Sequence, residues 1–387
     1  MLEPFTVTKD QLAHWLSRVV QIPSVSPHQA GPRAGEPGEG KIAAKLVEWF
    51  SALGARVVCD EVLPGRPNVY ALWQAAGDGI PWLAVDVHTD TVGVEQMEGD
   101  PFSGRIADGR VYGRGASDTK PTLAVVLALL ESMQHAGVVP QANLLIAATI
   151  DEEVGEQGAP AFARWVRLQG LAVQQLIVAE PTRCGPVYGH KGLSRLRFTV
   201  QGVAAHTSQP ELGRNAITAA AHLVLAFEDE GQRLLTVPPQ TPLGPARLTV
   251  SLIDGGRGIN VVPDSCTVSI DRRVLPGERP AEVSAGLVAL ARNHCPLPIS
   301  VDLLAEVDAF LQAPDTPWVS ELANWSGLAP DVAPYCTNAW AYGGLAQECV
   351  VLGPGSIAQA HAAVEWVEVS ELEKLARMYA HWWGVSD

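Results

Sequence analysis

The feature that most constrains this 387-residue chain is an alternation of short apolar runs with stretches of helical spacing. Runs at 56–59, 68–73, 82–87, 143–149, 176–179 and 349–352 have the length and content of buried strands. Between them, residues 10–20, 40–53, 121–136 and 159–169 place apolar side chains every three or four positions. Such an order implies an α/β layer: a mixed, mostly parallel sheet with helices on both faces. Its consequence for chemistry lies at the strand ends. His88 follows the run 83–87, Asp151, Glu152 and Glu153 follow 144–150, and Glu180 follows 176–179. An open α/β sheet binds its ligands beyond the carboxyl ends of its strands, so these residues converge on one edge. His361 comes nine positions after Leu352, and the Gly-Pro-Gly turn at 353–355 can return it there. Imidazoles and carboxylates together are ordinary ligands for divalent metals. Taken singly, a strand-end His is also a common loop residue and a Glu a common first-turn acid.

The middle third has another rhythm. Residues 193–200, 247–253 and 266–273 alternate like half-buried strands, with helical stretches at 216–228 and 280–293. The length favours two domains. Because strand-end acids and histidines occur on both sides of this region, we expect one catalytic domain, 1–189 and 299–387, interrupted by a small α+β domain at 190–298.

A net charge of −15 lacks the cationic footprint that a nucleic acid or an anionic membrane requires. The longest apolar runs are too short to cross a bilayer, and MLEPFTVTKD has no signal-peptide pattern. Six scattered cysteines with no CxxC pair suit a reducing compartment, so a cytoplasmic protein is expected. GRGASDTK at 113–120 lacks the spacing of a phosphate loop.

Five segments, in order, resemble the metal-site motifs of the M20 metallopeptidases and deacylases: HTD at 88–90, GRGASDTK at 113–120, DEEVGEQGA at 151–159, EPT at 180–182 and GPGSIAQAH at 353–361. The likeness spans nearly the whole chain. It implies two divalent metal ions, zinc with cobalt as an alternative, held by His88, Asp118, Glu153, Glu180 and His361. Asp118 would bridge them, with His88 and Glu180 completing one site and Glu153 and His361 the other. Glu152 would be the general base toward a metal-activated water, and Asp90 would orient His88. The implied reaction is removal of the acyl group from an Nα-acyl amino acid. GPGSIAQAH and the length point to N-acetylornithine as substrate, and the alternatives are a succinyl-diaminopimelate desuccinylase, a dipeptidase or carboxypeptidase, and a silent metal-binding relative.

The inserted region also resembles the family. GVAAHTSQPELGRNAI at 202–217 is similar to a lid and dimerisation motif, implying a homodimer in which His206 donates to the oxyanion in the neighbouring subunit. GGRGINVVPD at 255–264 and DRRVLPG at 271–277 imply that Asn260 and Arg273 hold a substrate carboxylate. A loop histidine and a structural salt bridge are the plainer alternatives for His206 and Arg273. The chain departs from the family pattern at Thr119, Pro121, Ala179 and Val364, the last standing where an Asp is usual. Pro121 falls where a helix's first turn tolerates proline.

Overall fold

The computed structural model describes residues 6–385 apart from 76 and 78. The chain divides into two compact units: one runs to Tyr188 and takes in Gln312–Asp331 and the chain from Thr337, and the other comprises Gly189–Leu311 and Val332–Cys336.

The first unit is built on the expected α/β sheet. The strands Asn143–Thr149, Trp82–His88, Val173–Val178 and Ala346–Val351 lie side by side in that order, all parallel. Arg66–Trp73 joins Asn143–Thr149 antiparallel, and Arg56–Leu63 closes that edge. Asn143–Thr149 and Trp82–His88, at the centre, are mostly apolar and almost wholly buried because both faces are covered. Leu83, Val85 and Val87 point to the face carrying the helices Lys9–Val20, Lys120–Ala136 and Val369–Trp382. The alternate residue Asp86 points the other way, where Tyr342 packs edge-on to Phe162 of the helix Gly158–Gln169. Lys120–Ala136 is buried along most of its length, starts with Pro121 in its first turn and stops at Gly137 in the left-handed region.

The second unit is an antiparallel sheet in the order Arg247–Gly255, Ser265–Val274, Gly192–Gln201, Ile299–Val307. The helices Ala216–Thr236 and Pro280–His294 cover one face, packing on Leu196, Phe198, Val200, Val268 and Ile270. The strand Ile299–Val307 lies past the expected boundary at 298. Its register shifts between Leu303 and Ala305, which breaks the alternation that would have revealed it. Among the described residues, no helix is long and apolar enough to cross a membrane.

Candidate metal centre

Strand pairing alone collects three of the five segments, those at 88–90, 151–159 and 180–182. His88 is the last residue of Trp82–His88 and stands opposite Thr149, just before the Asp151-Glu152-Glu153 turn. The other neighbour, Val173–Val178, ends two residues before Glu180. Adjacent strands run about 4.8 Å apart, so three neighbouring ends place three sets of ligands on one rim. Asp118 enters from the turn before Lys120–Ala136, and His361 from the loop after Ala346–Val351. That loop passes close to the rim. A Cβ on Gly353 would lie 2.6 Å from the Glu180 carbonyl oxygen, so a side chain there would force the backbone to move, and one on Gly355 would lie 2.5 Å from Ser117 Oγ at a φ of 90° that side-chain-bearing residues rarely adopt.

The side chains form two groups, His88 with Glu152 and Glu180, and Asp118 with Glu153 and His361, with ligand atoms within 4.8 Å of one another in each. Asp118 joins the groups. Its Oδ1 is 3.1 Å from His88 Nε2 and its Oδ2 3.4 Å from His361 Nε2, while Glu153 Oε2 is 3.2 Å from the same His361 nitrogen. One carboxylate thus presents an oxygen to each half, as a bridging ligand must.

Three groups that touch no metal position set this geometry. Asp90 turns its backbone carbonyl to His88 Nδ1 at 3.1 Å, leaving Nε2 to face Asp118. The Asp90 carboxylate is 3.5 Å from the same ring nitrogen, and it accepts the backbone N–H groups of Glu152 (3.1 Å) and Glu153 (3.0 Å). Asp90 therefore holds the His88 ring and the turn bearing both glutamates at once. Glu365, fully buried and held by Arg114, accepts the N–H groups of Ser117 (2.8 Å) and Asp118 (3.1 Å). It supports the bridging carboxylate from behind, whereas its neighbour Val364 is exposed. Glu365 adjoins the departure at Val364, but nothing in the sequence singled out either it or Arg114 for this role.

The electrostatics of the cluster are those of a place short of positive charge. Burial pushes Glu152 and Glu180 well above the usual carboxylate range, and mutual repulsion with Asp118 adds to it. Burial raises Glu153 too, and its Oε1 is buried with no hydrogen-bond partner. Burial would push the His88 imidazole down, but Asp118 and Asp90 carry it well above the ordinary value. Hydrogen bonds to Asp118 and Glu153 raise His361 to about 10. Four carboxylates around two imidazoles, one oxygen unpartnered, fit a pair of divalent cations in donor type and charge.

In the second unit, Ala205–His206 pairs with Val261–Val262, and Thr207 N–H donates to the Asn260 carbonyl at 3.2 Å. His206 and Asn260 thus share one small ribbon. His206 Nδ1 accepts the Ser208 N–H at 3.1 Å and lies 2.7 Å from Ser208 Oγ, so the ring proton sits on Nε2. Arg273 is elsewhere. It pairs opposite Leu193, at the far end of the strand whose first residue Ser265 stands opposite Gln201. Its Nε meets Asp271 Oδ1 at 2.9 Å, the salt bridge of the plainer reading. One chain does not gather Asn260 and Arg273 around a common carboxylate. Cys184 is buried, and burial pushes its thiol up, which suits an inert side chain.

Fold and site together define a metal-dependent hydrolase. The chain belongs to peptidase family M20/M25/M40, which it matches over residues 84–384. A relative from Myxococcus xanthus named acetylornithine deacetylase is 32% identical over 331 residues, 82% of this chain and 85% of that protein. The fold is similar to that of an M20 family metallo-carboxypeptidase from Sulfolobus solfataricus, with TM-score 0.76, 18% identity, and coverage of 95% of this chain and 97% of that one. It is also similar to that of the YXEP protein of Bacillus subtilis, described as a dinuclear metal binding peptidase, with TM-score 0.65, 13% identity, and coverage of 97% and 99%.

Proposed function

We propose that the chain removes the acyl group from an Nα-acyl amino acid, N-acetylornithine first among them, using two zinc ions for which cobalt can substitute. Asp118 carries this reading, because it offers one oxygen toward His88 and the other toward His361. A carboxylate so placed could be shared by two cations and would offset their repulsion. His88 and Glu180 complete one site, and Glu153 and His361 the other. When bound, the cations supply Lewis-acid polarisation of the amide carbonyl and an acidic water.

The protein's own groups do the rest. Glu152 shares the pocket of His88 and Glu180, and its backbone is tied down by Asp90, so its side chain is free to take a proton from the attacking water. The same carboxyl then returns that proton to the leaving amine. His206, with its proton on Nε2, is a ready donor to an oxyanion, and we assign it that task in the neighbouring subunit of a cytoplasmic homodimer. Asn260, in the same ribbon, would hold the substrate's carboxylate, and Arg273 would share that role only after releasing Asp271.

The test is a side-by-side assay of N-acetylornithine, N-acetylcitrulline, N-succinyl-diaminopimelate and a set of dipeptides, with zinc or cobalt added to stripped protein. Highest kcat/KM on an acetyl amino acid is the expected result. Turnover of dipeptides alone would overturn the substrate, and no metal uptake would overturn the site.

A further inference from the structure

The strand Arg66–Trp73 carries a buried polar pair on one face, Arg66 and Asn68, in a stretch that is otherwise mostly apolar. Neither touches a metal position. Arg66 Nε and Nη2 grip Glu39 Oε2 and Oε1 at 2.6 and 2.8 Å, and Nη2 also donates to Asp151 Oδ1 at 2.7 Å. Glu39 Oε1 in turn accepts the Asp151 N–H at 3.1 Å. Asn68 Oδ1 takes the Ile150 N–H at 3.0 Å, and its Nδ2 donates to the Gly158 carbonyl at 2.9 Å. The backbone before and after the Glu152-Glu153 pair is thus pinned to one strand.

Asp151 needs such a hold. Its φ of 66° is left-handed, a conformation that side-chain-bearing residues seldom adopt unless their surroundings hold it. The turn closes tightly on its carboxylate, since a Cβ on Gly155 would lie 2.2 Å from Asp151 Oδ2. Buried ion pairs add little net stability once desolvation is counted, but their bidentate geometry is directional. The benefit here is angular: Arg66 and Glu39 together fix the Asp151 peptide, and the next two residues carry their side chains to the rim.

We infer that the Arg66–Glu39 pair is a positioning device for Glu152 and Glu153, acting through Asp151, a role resting on the two-metal reading above. Arg66→Lys keeps the charge but loses the fork, and Glu39→Gln keeps the shape but loses the charge. Each folded variant should lower kcat about tenfold with KM within about twofold, as expected for a slightly misplaced base. Titrating cobalt into stripped protein should show one of the two sites weakened about tenfold, the other unchanged. The double variant Arg66→Lys/Glu39→Gln should lose no more than the worse single one, because both act through one contact. Unchanged kcat and cobalt affinity in the folded variants, multiplying losses, or loss of the fold in both single variants would place the pair in the scaffold and overturn the inference. Failure of the two-metal reading is distinct, because unmutated protein would then take up no second cobalt ion.

Discussion

The two halves of the metal centre are made in different ways. His88 and Glu180 stand at or just past the ends of adjacent strands and are nearly sealed, at 2% and 4% exposure. His361 comes from a loop, adopts a left-handed φ of 62°, and leaves 52% of its side chain open to solvent. Sheet hydrogen bonds determine the first half. The second depends on a loop that two glycines let pass close to Glu180 and Ser117. An enclosed half and an open half should hold their cations with different tenacity, with Asp118 as the ligand common to both.

The largest effect should come from breaking that joint. Asp118→Asn removes the charge that both halves share, and we expect both cations lost and activity down by at least ~10³-fold. Metal analysis alongside kcat decides it: a variant that still holds two ions would mean that the halves are independent. Next comes Glu152→Ala, which should lower kcat by about 10²–10⁴-fold with metal content unchanged. Loss of a metal ion in that variant would make Glu152 a ligand of the enclosed half, alongside His88 and Glu180, and require another base.

The same contrast decides what could be read from the chain beforehand. His88, Glu153 and Glu180 were legible because a strand end is visible in an apolar run, and parallel sheets use that edge. Asp118 was placed by no periodicity, and only its resemblance to a known motif identified it, whereas for His361 the chain offered no strand end of its own, just a Gly-Pro-Gly turn able to bring it back to the rim. Asp90 was legible by half. Its proximity to His88 follows from two positions of sequence, whereas its grip on the Glu152-Glu153 turn needs strand neighbours far apart in sequence. Glu39, Arg66 and Glu365 act across 27 to 248 residues, a separation no local pattern encodes. In the inserted unit, Asn260 and Arg273 looked like partners because both lie in family motifs; Asn260 sits in the ribbon before the strand Ser265–Val274, whereas Arg273 lies near that strand's far end, opposite Leu193.

Asp90→Asn sharpens the comparison from the enclosed side. It weakens the contacts to His88 and to both glutamate N–H groups, so affinity for the metals should fall about 10–100-fold. Graded chelation reads the open side: the cation at His361 should leave first, and one ion should remain when half is removed. Simultaneous loss of both would show that exposure does not control release.

The smallest effect is a pH dependence whose sign differs between stripped and metal-loaded protein. Without metal, His361 keeps its proton up to about 10, above its unfolded value, because Asp118 and Glu153 hold it. That contribution is fully present below about pH 6.5 and is lost as pH rises toward 10. Glu152, Glu153 and Glu180 act in the same direction: their raised values mean the folded state binds protons the unfolded chain has released. Stripped protein should therefore lose stability with rising pH. Metal binding does the reverse, since every ligand must first give up its proton. Lys120 complicates either curve alone, because burial lowers it to about 7, and its effect grows more favourable with rising pH. It lies outside the ligand set, so it largely cancels when one curve is subtracted from the other. The gap in Tm between loaded and stripped protein should widen between pH 6 and 9, by a few degrees on the order expected for about 1 kcal/mol in a chain of this size. A gap that stays constant would mean that protons and cations do not compete for His361, and the open half would then have to be drawn without it.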